Sequence, residues 1–374
     1  MIDKISLCRG CISKEVEHVL KLQSLPIGDS FSNSANDAEI FPIGLAICSQ
    51  CGLIQLSHEV ESSVVFERYL SKSYPLSKDI SVNRESTRRC QKLAHSINAK
   101  LILSIGSGSG QHLQMYREEG ITVIGIEPSD YQASISRDLG IDTFSGYLTE
   151  TVVDKILAKY GQVDMVLVDN ATKMPHPVHI SNVNDPLTYV DNISNLVKSN
   201  GLVYVRTPYI GSIMTFGLLD YVYHEHQSYF SCQSIRRLFS RVGLQILHAG
   251  LCKYDSLHAE FLFSPHPNVS RGENALADFE NKERCLKLEE KSSFSSIAGV
   301  LQASKTTVRQ ALGDCHGLTI AGYGASTATV SSMYQYEIAS DLNFLVDDDE
   351  TKIGLYSPNA NLRVERVDKI YTSK

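Results

Sequence analysis

No run of about 18 apolar residues occurs anywhere in the 374-residue chain, which excludes a bilayer-spanning helix from the expected architecture. The first residues, Met1-Ile2-Asp3-Lys4-Ile5-Ser6, lack the basic-then-apolar layout of a secretion signal, so a cytoplasmic protein is expected. Runs of five or six like charges are also missing, and the net charge is −7 at pH 7. A nucleic-acid binder carries a basic face, because phosphate contacts supply most of its affinity. No nucleic-acid partner and no membrane partner are therefore expected, although a local basic pocket for one diphosphate fits this balance. There is no internal repeat and no low-complexity tract. A hydrophobic content of 43% with 21% charged residues is that of ordinary globular domains, and the length allows two or three.

The nine cysteines cannot all pair. Four form two couples and five are scattered (Cys90, Cys232, Cys252, Cys285, Cys315). In a reducing compartment that split points to metal ligands plus inert buried thiols, not to disulfides. Cys8-x-x-Cys11 and Cys48-x-x-Cys51 frame a loop of 36 residues. Each couple can put two thiolates about 2.3 Å from one tetrahedral zinc, and closing the long loop costs little because closure entropy grows slowly with length. Gly10 and Gly52 stand where a tight knuckle turn tolerates positive φ. A redox pair needs only one couple beside a βαβ unit, and four thiolates leave no open coordination position for catalysis. The expected metal is structural and staples a segment too small to bury its own core.

Four apolar runs (Leu101-Ile102-Leu103-Ser104-Ile105, Val123-Ile124-Gly125-Ile126, Met165-Val166-Leu167-Val168, Leu202-Val203-Tyr204-Val205) alternate with helical segments. Such continuous runs predict a parallel sheet covered on both faces, extending to about Ser264. Upstream, the polar stretch from Ser62 to Asn98, with Arg84, Arg88, Arg89 and Lys92, is expected to be helical. Downstream, Pro265 to Gly272 reads as a linker. A polar helical stretch follows from Glu273 to about Leu312, then a smaller α/β unit with strands at Leu318-Thr319-Ile320-Ala321 and Asn343-Phe344-Leu345-Val346. The predicted division is 1–62 (zinc-binding), 63–98 (helical connector), 99–265 (Rossmann-like α/β domain) and 266–374 (C-terminal α/β domain).

Ile105-Gly106-Ser107-Gly108-Ser109-Gly110 follows the first strand and precedes a helical segment. Alternating glycines (Gly106, Gly108, Gly110) let the backbone pass close to a ligand at the strand's carboxyl end. The dinucleotide fingerprint needs a third glycine at 111, where Gln111 stands, which argues against a nicotinamide dehydrogenase. The ending looks like the methyltransferase version, which cradles the methionine part of its cofactor. Glu127, seventeen residues beyond Gly110, ends the next strand and can accept both ribose hydroxyls of an adenosine. Asp164 opens the strand leading to Asp169 and Asn170 near the same crevice. A tight strand-to-helix turn without ligand is the plain alternative.

Tyr223-His224-Glu225-His226-Gln227-Ser228-Tyr229-Phe230-Ser231 is the densest acid-base group in the chain. It follows a strand and its exit, beyond the edge where substrates sit. Consecutive residues point in different directions and His-Glu-x-x-His spacing is absent, so a metal trio is disfavoured. A general-base role fits an imidazole near pKa ~6.5; a hydrogen-bonded loop packed over the sheet is the alternative.

These residues together resemble the sugar C-methyltransferases, which add a branch methyl to nucleotide-linked 4-keto-deoxysugars. The likeness runs over nearly the whole chain in three blocks. The first is Cys8-Arg9-Gly10-Cys11, Phe41-Pro42-Ile43 and Cys48 through His58. The second is the glycine loop, Gly125-Ile126-Glu127-Pro128 and the Tyr223–Ser231 block. The third is Tyr323-Gly324-Ala325-Ser326-Thr327 with Asp347 and Lys352-x-Gly354-x-Tyr356-Ser357-Pro358. The resemblance implies S-adenosyl-L-methionine as cofactor, held at Gly106, Gly108, Gly110, Glu127 and Asn170, and Zn2+ on Cys8, Cys11, Cys48 and Cys51. It implies catalysis by Tyr223, Glu225 and His226, with Tyr323, Gly324, Ala325 and Ser326 holding part of the nucleotide sugar. His226 would remove a proton beside a ketone, a tyrosine would stabilise the oxyanion, and Glu225 would orient His226 or hold a sugar hydroxyl. Departures fall at Ser71 (tyrosine in the family), Asn182 (histidine), His258 (arginine), Ala328 (a basic residue) and Gly108-Ser109 (Asn-Asp). The expected function is carbon methylation at C3 of a 4-keto-6-deoxysugar nucleotide. An O-methyltransferase, a different glycosyl carrier, or a binding protein that has lost catalysis are the rival readings.

Overall fold

The computed structural model describes residues 2–35, 37–61, 64–65, 81–168, 180–253, 255–266 and 273–372. Its centre is a seven-stranded sheet in the order Asp142–Ser145, Thr122–Glu127, Leu101–Ile105, Val163–Val168, Val197–Pro208, Asp255–Ser264, Gln245–Cys252. All strands run parallel except Asp255–Ser264, which lies antiparallel to both neighbours. Alternate residues feed two cores. Leu103, Ile105, Val166, Val203 and Val205 face one side, while Ile102, Met165, Leu167, Leu202 and Tyr204 face the other beneath the helix Ser81–Ser96. That two-sided burial is why the strands read as unbroken apolar runs. The chain reverses direction across the sheet between Leu101–Ile105 and Val163–Val168, and a ligand crevice opens at the carboxyl ends of such a pair.

The N-terminal segment contributes Val16–Lys21, Gly44–Cys48 and Ile54–Leu56 to a four-stranded antiparallel sheet. The fourth strand is Ser228–Tyr229, from the histidine-rich block: Ser228 pairs with Gln55 and Tyr229 with Ile54. Their shared core joins Leu45, Ile47, Ile54 and Leu56 to Ile210, Ile213, Tyr229 and Phe294. The N-terminal segment thus completes its core against the rest of the chain, in addition to any metal staple.

After the sheet come the helices Glu273–Leu286 and Lys291–Gly313, where the sequence suggested one stretch. They are separated at Lys287, which takes a positive φ of 52°. The C-terminal unit has three parallel strands, Ala321–Tyr323, Phe344–Asp347 and Val364–Arg366. The first begins three residues later than predicted. Leu318 is 67% exposed and Ile320 donates its N–H to the Asn343 side chain, so the apolar run enters the ladder only at Ala321. Among the described residues, no helix is long and apolar enough to cross a membrane.

Glu283 ties the helix Glu273–Leu286 to the central domain. It is buried and accepts hydrogen bonds from Tyr209 Oη (3.0 Å) and from the backbone N–H groups of Cys232 (2.7 Å) and Gln233 (3.2 Å), at the start of the helix Cys232–Ser240. Glu283→Ala orphans all three donors. It should lower the first urea-unfolding transition, followed by far-UV circular dichroism, by about 3 kcal/mol. Glu283→Gln should cost less, since an amide oxygen still accepts.

Candidate active site

The four paired cysteines converge. Their sulfurs all lie within 4.8 Å of one another, with Cys8 to Cys51 at 3.4 Å and Cys11 to Cys48 at 3.6 Å. Tetrahedral zinc with bonds of about 2.3 Å separates its sulfurs by about 3.8 Å. The donor set and spacing therefore fit zinc, and four thiolates would hold it in a closed structural site. Gly52 provides the left-handed turn (φ 71°) and its N–H donates to the Cys48 carbonyl at 2.8 Å, whereas Gly10 does not take the expected positive φ, which falls on Ile12 (φ 61°) instead. The thiols shift apart in acidity. A hydrogen bond from Cys51 holds Cys8 down to about 5, burial pushes Cys11 up to about 11, and that same hydrogen bond to Cys8, with burial, pushes Cys51 up further.

The glycine loop turns at the carboxyl end of Leu101–Ile105, with φ of 76°, 55° and 74° at Gly106, Gly108 and Gly110. A Cβ at Gly110 would lie 2.5 Å from Ser136 Oγ, and one at Gly125 would lie 2.5 Å from Ser107 Oγ. At Gly110 close packing adds to the backbone conformation in favouring glycine, whereas at Gly125 only the contact with Ser107 does. Glu127 is fully buried beneath the loop: Oε2 accepts from the Gly108 N–H at 2.8 Å and Oε1 from the Ser129 N–H at 2.9 Å. Burial raises its carboxyl to about 6, against the pull of those two N–H donors. Ser107 Oγ is buried without a hydrogen-bond partner, a polar atom that a ligand in this crevice could satisfy. Asn170 lies outside the described residues. Asp164 faces away from the crevice and braces the opposite strand end, accepting from the N–H groups of Lys100 and Leu101 and pairing with Lys198.

The histidine-rich block leaves the same sheet edge. Tyr209, just past the strand Val197–Pro208, bridges to Phe230. That strand and the glycine-loop strand flank Val163–Val168, so their ends lie about 10 Å apart at ordinary strand spacing. Tyr223 Oη and His226 Nε2 are 3.2 Å apart, and His226 Nδ1 faces the Tyr221 carbonyl at 3.3 Å. The carbonyl only accepts, so Nδ1 carries the proton and Nε2 accepts from the phenol. Burial lowers His226 to about 3, against the opposing pull of the Tyr221 carbonyl, and keeps it neutral. Burial, reinforced by the negative charge of Glu225, holds Tyr223 well above 10 and keeps it a donor. The orienting partner of His226 is thus the Tyr221 carbonyl. Glu225, also buried, instead receives Thr327 Oγ1 at 3.4 Å from the C-terminal unit.

The C-terminal turn is built as a strand-to-helix turn. Gly324 (φ 106°) donates to the Val346 carbonyl, Ala325 N–H to Asp347, and Ser326 caps the helix Thr327–Gln335 by accepting from the Thr329 N–H. Tyr323 is 62% exposed and donates to Asp348 at 2.6 Å. The turn therefore reaches the histidine-rich block through Thr327, which the sequence reading placed at the end of the sugar-holding turn with a backbone role only. Among the departures, Asn182 is buried, accepts from Ser181 Oγ, and lies in a turn packed against Ser228–Tyr229. His258 pairs across the sheet with Pro208. Ala328 is the second residue of the C-terminal helix, and Ser71 lies outside the described residues.

Three family models match this chain: a zinc binding domain over residues 8–66, a methyltransferase domain over 82–249, and a C-methyltransferase C-terminal domain over 262–374. The C-methyltransferase NovU of Streptomyces niveus is 24% identical over 332 residues, spanning 87% of this chain and 77% of its own. A SAM-dependent methyltransferase of known structure from Archaeoglobus fulgidus aligns over 54% of this chain and 99% of its own, with 12% identity and a TM-score of 0.38. The plantazolicin methyltransferase BamL, solved with SAH, aligns over 51% of this chain and 87% of its own, with 13% identity and a TM-score of 0.37.

Because Ile54–Leu56 begins three residues after Cys51, loss of the metal should disorder the strand that supports Ser228–Tyr229. Cys48→Ser is expected to reduce zinc content well below one per chain by elemental analysis. It should also lower the melting temperature by about 10 °C or more. Cys285→Ser, at an exposed thiol, should change neither.

Proposed function

Because the chain belongs to the C-methyltransferases built from a zinc-binding domain, a methyltransferase domain and a dedicated C-terminal domain, we propose that it methylates carbon in a nucleotide-linked keto-deoxysugar. The reading adds C3 of a 4-keto-6-deoxyhexose as the reacting position. One observation carries it: a neutral histidine and a protonated tyrosine, paired at 3.2 Å, sit at the sheet edge shared with the glycine loop.

S-adenosyl-L-methionine, bound behind Gly106, Gly108 and Gly110, supplies an electrophilic methyl on a sulfonium. Glu127 would accept its ribose hydroxyls once the two N–H donors shift or share the carboxylate. When the ketone enters, Tyr223 turns its O–H from His226 to the C4 carbonyl oxygen. His226 Nε2 is then free to take the C3 proton, while the electrons of that bond move into C3=C4 and charge collects on oxygen. Tyr223 stabilises that charge as a donor, and its raised pKa keeps it from ionising first. The Nδ1–H bond to the Tyr221 carbonyl holds the ring in place as it becomes cationic, and the enolate it has made is its counter-charge. The enolate carbon would be the nucleophile for the methyl that the cofactor supplies, with its thioether as leaving group. The low basicity of buried His226 suits this scheme only because the proton acceptor and the new anion lie together in a dry site.

Label from methyl-labelled cofactor should appear in the product of a panel of nucleotide-linked 4-keto-6-deoxyhexoses, with the new methyl on carbon by NMR. His226→Ala should slow transfer by about 100- to 10,000-fold with cofactor affinity unchanged. Label found on oxygen, or none transferred to any panel member, would sink this reading.

Glu127 gives a pH test. Ribose hydroxyls donate to the ionised carboxylate, whose pKa is raised to about 6. Cofactor affinity should therefore weaken as pH falls through about 6, and Glu127→Gln should be weak at all pH values with that inflection gone, read by calorimetry. Before ligand binds, the sign for stability is opposite. A raised carboxyl favours the folded state fully below its unfolded pKa of about 4.3, and that contribution is lost as pH rises through about 6.

A further inference from the structure

Thr327 lies between two elements that the sequence places far apart. In front, its Oγ1 donates to Glu225 Oε1 at 3.4 Å. Behind, a Cβ at Gly28 would lie 2.5 Å from Thr327 Cγ2 and 2.9 Å from its Cα. Gly28 is not among the positive-φ glycines, so space rather than backbone conformation demands glycine there. The turn that carries it, closed by Ser30 N–H on the Ile27 carbonyl at 3.2 Å, belongs to the zinc segment.

The same turn fastens the C-terminal unit. Asp29 pairs with Lys352, and both side chains are more than nine-tenths buried. Lys352 Nζ also sits 4.6 Å over the Phe31 ring, and Phe31 itself lies in the C-terminal core with Ala325, Val330 and Leu345. Ser32 and Tyr356 exchange two backbone hydrogen bonds, at 3.1 and 2.8 Å. At the far end of the helix, Gln335 brackets Gln23, accepting from its N–H at 3.1 Å and donating to its carbonyl at 3.0 Å. A buried ion pair tolerates little misalignment, since separating its members strands charge in a low dielectric. The helix Thr327–Gln335 is therefore held in one place along its length, with its first residue in contact with both Gly28 and Glu225.

We infer that Thr327 is a positioning residue: its hydroxyl fixes the plane of the Glu225 carboxylate, at a distance set by van der Waals contact with Gly28. The inference rests on the reading of Glu225 as part of the substrate site. Fixing one carboxylate oxygen determines where the other points, either at a sugar hydroxyl or at the imidazolium formed during the reaction. The zinc segment thus acts on the reaction a second time, by steric contact and independently of the strand it lends to Ser228–Tyr229.

The test uses full-length, zinc-loaded protein and the panel sugar that gives the fastest turnover. Thr327→Val keeps the shape and removes the donor; it should lower kcat about 10- to 100-fold with the cofactor KM unchanged. Thr327→Ser should restore most of the rate. Gly28→Ala keeps the hydroxyl but must displace Thr327, whose Cγ2 and Cα would crowd the new Cβ, and should behave like Thr327→Val. Gly28→Ala with Thr327→Ser should recover part of the loss, because the nearest clashing atom, Cγ2, is gone. Wild-type kcat in Thr327→Val, equal defects in the valine and serine variants, or a harmless Gly28→Ala would each overturn the inference. Should no panel sugar react even with wild-type protein, the functional reading fails. Hydrogen exchange over residues 222–230 then decides the positioning claim. Faster deuterium uptake in Thr327→Val and Gly28→Ala than in wild type and Thr327→Ser supports it, and equal uptake in all four overturns it.

Discussion

Two residues, Ser228 and Tyr229, join the histidine-rich block to the N-terminal sheet, and the geometry of the site depends on that short ladder. A strand of this length has no stability alone and exists only as an addition to a formed sheet. Its neighbour Ile54–Leu56 begins three residues past Cys51, and the Leu56 N–H donates to the Gln227 carbonyl at 3.1 Å. His226 is the next residue back. The metal knuckle therefore bears on where an imidazole stands over the sheet edge, through the strand that lies between them. A structural zinc so connected bears on the candidate site through backbone hydrogen bonds.

One cause produces most of the unusual electrostatics. Burial disfavours charge, so it raises acids and lowers bases. Tyr223 and Glu127 go up and His226 goes down. In the Tyr223–His226 pair the two shifts cooperate, because they keep one partner a donor and the other a neutral acceptor. A solvated pair would share that division less firmly and would lose it to water. For Glu127 the two backbone donors oppose burial, which leaves its ionisation within reach of ordinary pH change.

The three parts of the chain complete one another's cores. Phe31 of the N-terminal segment packs among Ala325, Val330 and Leu345 of the C-terminal unit. Ile210 and Tyr229 of the central domain pack among Leu45, Ile47 and Ile54. A short segment with few apolar residues cannot cover its own interior, so it borrows surface from both neighbours. That sharing brings Thr327 against Glu225, and it couples the zinc segment to the site by two separate routes.

Elements whose signals are local were legible in the sequence. Continuous apolar runs gave the strands of the central sheet, because both faces are buried. Two Cys-x-x-Cys couples gave the metal site, because sulfur spacing is a property of a short turn. Glycines at 106, 108 and 110 gave the loop, because each takes a positive φ that other residues resist. Boundaries slipped where the ladder depended on a distant partner: the strand expected from Leu318 begins at Ala321, where Phe344 is available to pair.

The amino-acid order by itself determined which residue types could ligate, cradle or exchange protons, since those are properties of side chains and short turns. Only the tertiary structure decided what each one faces. It gave His226 to Tyr223 and the Tyr221 carbonyl, turned Asp164 toward Lys198, and set Thr327 between Gly28 and Glu225. Those contacts join residues up to about three hundred positions apart, and no periodicity or motif spacing records a contact that arises only when separate cores close on one another.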